Sequence, residues 1–249
     1  MPDEFRLENA PVMEAVIDLH VVGASERGIE TLAPFHEAIN AEYPQREARV
    51  EGQFEFIAGE QIGARASHRQ IGYIYRREAG DYAVQVRVDG MTVSRFAPYT
   101  CWSDLRAEAS RWWNVYREVV GADALSRIGL RYINQFHLPH GDWRNELALR
   151  PLTPDGVFGE ISQLFMRVEA PQPDLDANAV ITQTRIPDNA PETAAFILDI
   201  DLMLSDNLPD PDQGLWECLD RLRNRKNELF RASFVHPPEE MFGNAARTA

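Results

Sequence analysis

Lysine is nearly absent from this chain. Lys226 is the single lysine among 249 residues, so arginine carries almost all of the positive charge, and 39 acidic residues outnumber 25 basic ones. The formal net charge of -14 disfavours nonspecific binding to nucleic acid, because that binding depends on neutralising phosphates with Lys and Arg. Arginine keeps its charge when buried and can bind a carboxylate or a phosphate through two parallel hydrogen bonds. A local site for an anion therefore stays open.

Cysteine is scarce, and long apolar runs are missing. Cys101 and Cys218 lie far apart and form no CxxC pattern, which argues against a disulfide framework or a structural zinc site. No run of about 18 apolar residues predicts a membrane span. The opening stretch, MPDEFRLENA, has neither the basic start nor the apolar centre of a signal peptide. We therefore expect a cytoplasmic protein without a membrane partner.

Familiar catalytic motifs are also missing. The chain has no GxSxG, HExxH or P-loop pattern, so the common hydrolase and NTPase classes receive no support from the sequence. We expect no cofactor. With 44% hydrophobic and 26% charged residues, the chain has the composition of a globular protein and not of a disordered one.

Alternation of apolar and polar residues dominates the first part of the chain. It predicts a strand over 12–22 and four short strands, at 53–57, 70–76, 82–88 and 92–96. Asp89-Gly90 predicts a two-residue hairpin turn. Helical spacing predicts a helix over 29–43, in which Pro34 must lie in the first turn or cause a kink. A second helix is predicted over 102–120 and ends at Gly121.

The second part repeats this order of elements. Strands are predicted at 126–135, 160–168, 179–186 and 195–204, and a last helix at 215–230. The sequence thus predicts an α+β fold with two related halves, 1–122 and 123–249, packed as one compact unit. Each half is expected to be an antiparallel sheet packed against a long helix, in the order strand, helix, strands, helix. The sequence does not specify an oligomeric state.

Four stretches occur in a characteristic order: APVMEAVIDLHV, DYAVQVRVDGMTVSRFAPYTCW, RIGLRYINQF and FILDIDLML. Together they resemble a sporadically distributed bacterial family of proteins of similar length. The resemblance covers most of the chain. The family carries no established activity, so the resemblance implies no catalytic residue, cofactor or partner.

Charged residues on strand faces form the main candidate site. Arg127 and Arg131 share one face of the strand at 126–135, and Asp199 and Asp201 share one face of another strand. If these strands are neighbours, the two pairs can meet across the sheet, and the first strand can add its own polar residues. The candidate ligand-binding residues are Arg127, Arg131, Asn134, Asp199, Asp201, Glu14, Asp18 and His20.

Several interpretations of this cluster stay open. It is a solvated or structural ion-pair network, a pocket for an anionic ligand, or a catalytic site. The two aspartates with Glu14 or His20 are also a possible Mg²⁺ or Mn²⁺ site, although we predict no metal. His137 and His140 form an HxxH pair that is interpreted as part of a loop. Phe54, Tyr73, Tyr75 and Tyr82 are expected to pack in the core, with an exposed aromatic platform as the alternative.

The leading functional hypothesis is a non-enzymatic binding or interaction protein with a regulatory or defence-associated role. Its partner is another protein or a small anionic ligand. The alternative is a ligand-binding protein or an enzyme that acts on a phosphorylated or nucleotide-like anion through the Arg/Asp cluster.

Overall fold

The computed structural model describes residues 5–23, 27–57, 63–122, 124–141, 143–153, 159, 161–188 and 192–243, with the side chains of 53–57 and 63–67 excepted. The strands in this part of the chain are β1 (Val12–Val21), β2 (Gln45–Ile57), β3 (Gly63–Arg76), β4 (Tyr82–Arg87), β5 (Gly90–Phe96), β6 (Leu125–Pro139), β7 (Leu164–Gln172), β8 (Ala177–Ile186) and β9 (Thr193–Leu204). The helices are α1 (Ala33–Ile39), α2 (Trp102–Val120), α3 (Trp143–Glu146), α4 (Leu215–Ala232) and α5 (Pro238–Phe242). Short 3-10 turns cover Ile29–Leu32 and Pro173–Leu175.

All of these strands form one antiparallel sheet. Its order is β2-β3-β4-β5-β1-β6-β9-β8-β7, and β1 pairs with β5 on one side and with β6 on the other. The prediction of two halves, each with its own sheet and long helix, is therefore wrong. Pairing between β1 and β6 joins segments more than 100 residues apart in the chain, and periodicity within a segment carries no information about such pairing. The division of the chain at residue 122, which follows α2, stays a prediction.

The helices cover one face of this sheet. Ala15, Ile17 and Leu19 point from β1 into a core cluster to which α1, α2 and α4 all contribute side chains. A second cluster lies around Phe136 and Phe196, near the end of α4. The opposite face of the sheet carries the polar residues of the alternating strands. No helix in the described part of the chain is both long and apolar enough to cross a membrane.

Several predicted elements are confirmed, and others are displaced. Helix α2 spans the predicted residues and ends at Gly121 in the left-handed region, with φ 62°. Helix α1 begins only at Ala33, because Pro34 must lie in the first turn. The hairpin between β4 and β5 is present, but its two loop residues are Val88 and Asp89, since Arg87 pairs with Gly90.

The largest omission of the sequence-based prediction is the first part of β2. Residues 45–52 pair with β3 and are all exposed. An exposed strand needs no apolar face, so its sequence, QREARVEG, shows no alternation of apolar and polar residues. This protruding hairpin matters for function, because it carries two of the arginines described below.

Candidate functional site

The strand order brings the predicted polar cluster together on the open face of the sheet. Strand β6 lies between β1 and β9. In the register of these strands, Arg127 lies opposite His20 of β1, and Arg131 lies opposite Asp201 of β9. The side chains alternate between the two faces, so the residues opposite the core side share one polar surface. Strands β6 and β9 are neighbours, as the predicted meeting of the two pairs requires, and Arg131 pairs with Asp199, whereas Arg127 pairs with Asp18 of β1.

Asp18 is the centre of this surface. Its side chain is only 17% exposed and accepts hydrogen bonds from Thr92 at 2.6 Å, Arg87 at 3.1 Å and Arg127 at 2.5 Å. Burial by itself raises the pKa of Asp18, but the contact with His20, the charge of Arg87 and the bond from Thr92 outweigh it, so the pKa lies well below its usual range. Asp18 is therefore an ionised carboxylate that holds two arginines in place.

His20 completes this arrangement. Its Nε2 atom lies 3.0 Å from Oδ2 of Asp18, 3.0 Å from a nitrogen of Arg87 and 2.9 Å from a nitrogen of Arg127. Guanidinium groups only donate hydrogen bonds and carboxylates only accept them, so these contacts do not select one tautomer of the ring. Nδ1 faces Asp89, at 3.7 Å from its Oδ2 atom. Nε2 of His20 is thus enclosed by the charged residues of the cluster.

Arg131 belongs to a second ion pair on the same face. It binds Asp199 through two hydrogen bonds, of 2.8 and 2.6 Å. Burial raises the pKa of the neighbouring Asp201, and the charge of Asp199 raises it further, against the opposing effect of Arg131. Glu14, Arg131 and Asp201 line a hollow of about 270 Å³. In this hollow Arg131 is already paired with Asp199, and the carboxyl group of Asp201 lines the hollow as well.

A larger concavity lies beside Asp18. We call it the arginine groove; it has a volume of about 470 Å³ and is lined by Asp18, His20, Arg49, Glu51, Arg69, Ile71, Arg87, Val88, Asp89 and Arg127. Strands β3 and β6 are four steps apart in the sheet, which is about 19 Å in a flat sheet. Side chains from both line the same groove, so the twisted sheet is concave on this face.

The charge of the groove contrasts with that of the whole chain. Four arginines line it, against three carboxylates, whereas the protein carries a net charge of -14. Arg87 and Arg127 are bound to Asp18. Among the residues that the structure describes, Arg49 and Arg69 have no ion-pair or hydrogen-bond partner. The groove therefore combines two fixed arginines with two arginines that are available to a ligand.

One predicted site residue lies elsewhere. Asn134 shares the core side of β6 with Tyr132 and is 2% exposed. Its Nδ2 atom donates to the backbone oxygen of Leu198 at 3.0 Å. Asn134 therefore does not lie with Arg127 and Arg131, because an even-numbered residue of β6 faces away from them; it lines a cavity on the core side, and its role in ligand binding stays a prediction.

Sequence reasoning also missed several members of the site. Arg87 and Thr92 bind Asp18. Arg87 occupies a polar position of the strand predicted over 82–88, whereas the sequence did not assign Thr92 to the polar face of its strand, and nothing marked β5 as the neighbour of β1. No sequence pattern indicated Arg49 or Arg69 as site residues, because each lies on an exposed hairpin with charged residues on both faces.

The other sequence-based candidates have structural explanations. Within the described ranges no group of three His, Cys, Asp or Glu side chains is placed to hold a metal ion. The HxxH pair was assigned to a loop, but His137 lies within β6. Tyr75 and Tyr82 are buried in the core, which confirms the packing interpretation over the aromatic platform, while the side chain of Phe54 lies outside the described residues. Both cysteines are free and buried.

The fold does not test the resemblance noted from the sequence, which stays a prediction. Comparison with models of known protein families and with curated proteins finds no match for this chain.

Proposed function

We propose that this protein is a binding protein and not an enzyme, and that its arginine groove holds an anionic group of the ligand. The observation that carries this proposal is a pair of guanidinium groups, Arg49 and Arg69, that have no ion-pair or hydrogen-bond partner among the described residues and line the same groove as Arg87 and Arg127. Guanidinium groups bind phosphate and carboxylate oxygens through paired hydrogen bonds. A groove of about 470 Å³ lies within the usual size range for small ligands.

The arrangement of the fixed residues favours binding over catalysis. A general base must lie within hydrogen-bond reach of the substrate. The Nε2 atom of His20 is enclosed by Asp18, Arg87 and Arg127, and Asp18 already accepts hydrogen bonds from Thr92 and both arginines. These residues therefore act as a rigid support that keeps Arg87 and Arg127 extended toward the groove.

The ligand class follows from the shape and charge of the groove. Its cationic groups come from both sides, β2 and β3 on one side and β4 and β6 on the other. A phosphorylated or nucleotide-like anion with several oxygens can contact arginines of both sides through paired hydrogen bonds. An acidic segment of a partner protein presents the same chemistry, and its binding is an outcome of the test below.

Thermal unfolding with pyrophosphate and with ATP, in the absence of divalent metals, tests this proposal. A ligand at 100 times its Kd adds about 2.7 kcal/mol to the free energy of unfolding, which raises Tm by about 5–10 °C in a protein of this size. We expect this increase in the wild type and its loss in the double variant Arg49→Gln/Arg69→Gln. Arg167→Gln is the matched control, because Arg167 is an exposed strand arginine on β7, at the far edge of the sheet.

The possible results separate the alternatives. A Tm increase that persists in the double variant places the anion outside the arginine groove and contradicts the proposal. No increase with either compound favours an acidic protein partner, which pull-down from a native-host lysate with the same variants then examines. If the double variant binds neither compounds nor proteins differently from the wild type, the groove has no binding function.

A further inference from the structure

The single lysine of the chain lies at a core position of α4. Leu215, Leu219 and Leu222 form the buried stripe of this helix, and Phe230 continues it. Lys226 follows Leu222 by four residues and precedes Phe230 by four, so helical periodicity places it on the same buried face. It is 9% exposed. Lysine is rarely buried without a partner, so this position calls for an explanation.

Lys226 has no counter-ion in the part of the chain that the structure describes. Its Nζ atom lies 3.8 Å from the centre of the Tyr132 ring, in a cation–π contact. Asn227 is 7% exposed and, among the described residues, also has no hydrogen-bond partner. A low-exposure ammonium group without a counter-ion among the described residues is costly. Both polar side chains border a cavity, where a ligand can reach them.

Both side chains line a cavity of about 450 Å³ on the helix-covered side of the sheet. Five aromatic side chains contribute to its walls: Phe5, Tyr99, Trp102, Tyr132 and Phe230. Hydroxyl groups of Tyr99 and Tyr132 lie 2.9 Å apart at one wall. Arg6 and Arg223 also line it, and Glu8 is the single carboxylate among the lining residues that the structure describes. The cavity thus combines aromatic walls with polar groups, among which positive charge predominates.

We propose that this cavity binds a small molecule with an apolar body and a carboxylate group, and that the carboxylate pairs with Lys226. The aromatic walls contact the apolar body, and the amide of Asn227 donates a further hydrogen bond to the carboxylate. A cavity of this volume that places aromatic side chains beside polar and charged groups can hold a small molecule and fix its orientation. A ligand carboxylate also supplies the negative charge that Lys226 otherwise lacks.

This site is separate from the arginine groove. Tyr132 and Lys226 lie on the core side of β6, whereas Arg127 and Arg131 lie on its open side. Burial, together with the positive charge of Arg223, lowers the pKa of Lys226 to about 7. The amine is therefore partly neutral near neutral pH and reactive toward acylating reagents. Because the chain contains no second lysine, its modification can be measured without ambiguity.

Protection of Lys226 from acetylation tests the proposal. The protein is treated with a limiting amount of an acetylating reagent, with and without benzoate or hexanoate, and the modified fraction at Lys226 is measured by peptide mass spectrometry. Benzyl alcohol and sodium chloride at equal concentrations control for the apolar body and for ionic strength. We expect either carboxylate to slow acetylation at least threefold and to raise Tm, and we expect neither control to do so.

Two variants link the effect to the lysine itself. Lys226→Met keeps the size of the side chain and should abolish the Tm increase. Arg225→Met removes one positive charge from the adjacent position, where the arginine pairs with Asp174 outside the cavity, and should leave the increase unchanged. Equal protection by benzyl alcohol, a Tm increase retained in Lys226→Met, or no protection by either carboxylate overturns the proposal. The protection measurement uses the wild type, so it holds even if the lysine variant fails to fold.

Discussion

Replacing Lys226 by Met should stabilise the protein and change how its stability depends on pH. Methionine is similar to lysine in length and is apolar, so it fills the same space on the buried stripe of α4 without requiring hydration of a charge. The loss is the cation–π contact with Tyr132, which is worth about 2 kcal/mol or less. The gain is the removal of a desolvated, unpaired ammonium group.

The size of the effect follows from the pKa of Lys226. In the folded protein this pKa is lowered from 10.5 to about 7, first by burial and then by Arg223. Between these two values the unfolded chain binds a proton that the folded chain does not, so the free energy of unfolding rises with pH. Below about pH 7 both states are protonated, and the full penalty is present. Between pH 7 and pH 9 the wild type should therefore gain about 2 kcal/mol relative to Lys226→Met.

Equilibrium unfolding in guanidinium chloride at pH 7, 8 and 9 measures this difference. Burial also raises the pKa values of Tyr99 and Cys218, and these groups titrate in both proteins, so the comparison removes their contribution. We expect the variant to be more stable at pH 7 and the two proteins to converge toward pH 9. Parallel stability profiles would show that Lys226 is not desolvated in the folded state. A variant that is less stable at pH 7 would show that the charge is paired.

Two further predictions concern the arginine groove and the hairpin of β2 and β3 that carries Arg49 and Arg69. Asp18→Asn should lower the free energy of unfolding by about 2–3 kcal/mol at pH 7, because both arginines lose their bonds to this carboxylate, although Arg87 keeps Asp89 and Arg127 is 41% exposed. Since the pKa of Asp18 is lowered in the folded state, this difference should shrink as the pH falls below about 4, where the unfolded carboxylate protonates. A difference that is unchanged at pH 3 in urea unfolding would contradict this. Gly72→Ala should cost about 1–3 kcal/mol, because a Cβ atom there would lie 2.0 Å from the backbone oxygen of Val86. Gly52→Ala on the same hairpin, where the nearest atom is 3.5 Å away, should be nearly neutral, and equal effects of the two changes would refute the steric explanation.

Local periodicity was sufficient for the elements that bury one face. The stripe of α2 and its glycine stop predicted that helix to the residue, because an amphipathic helix must repeat its apolar positions every three or four residues. The alternation in β1 and β9 was equally clear. It failed for residues 45–52, since an exposed hairpin strand has no buried face to record in its sequence.

The polar cluster could be predicted in part. Period-two alternation assigned Arg127, Arg131, Asp199 and Asp201 to strand faces, and the strand order then brought them together. The sequence did not contain the strand order, because hydrogen-bonded pairing of β1 with β5 and β6 depends on contacts between distant segments. For the same reason, the sequence could not show that the strands of the two expected sheets form a single sheet.

The amino-acid sequence by itself determined which residues alternate, where the long helices lie and which strand faces carry charge. Only the tertiary structure decided which of these charges meet. The concave sheet places Arg49 and Arg69 along the same groove as Asp18. Core packing places the single lysine against the ring of Tyr132. The physical reason is the range of the interactions: the face on which a residue lies is set by neighbours two to four residues away, whereas a site is set by packing between elements that are distant in the chain.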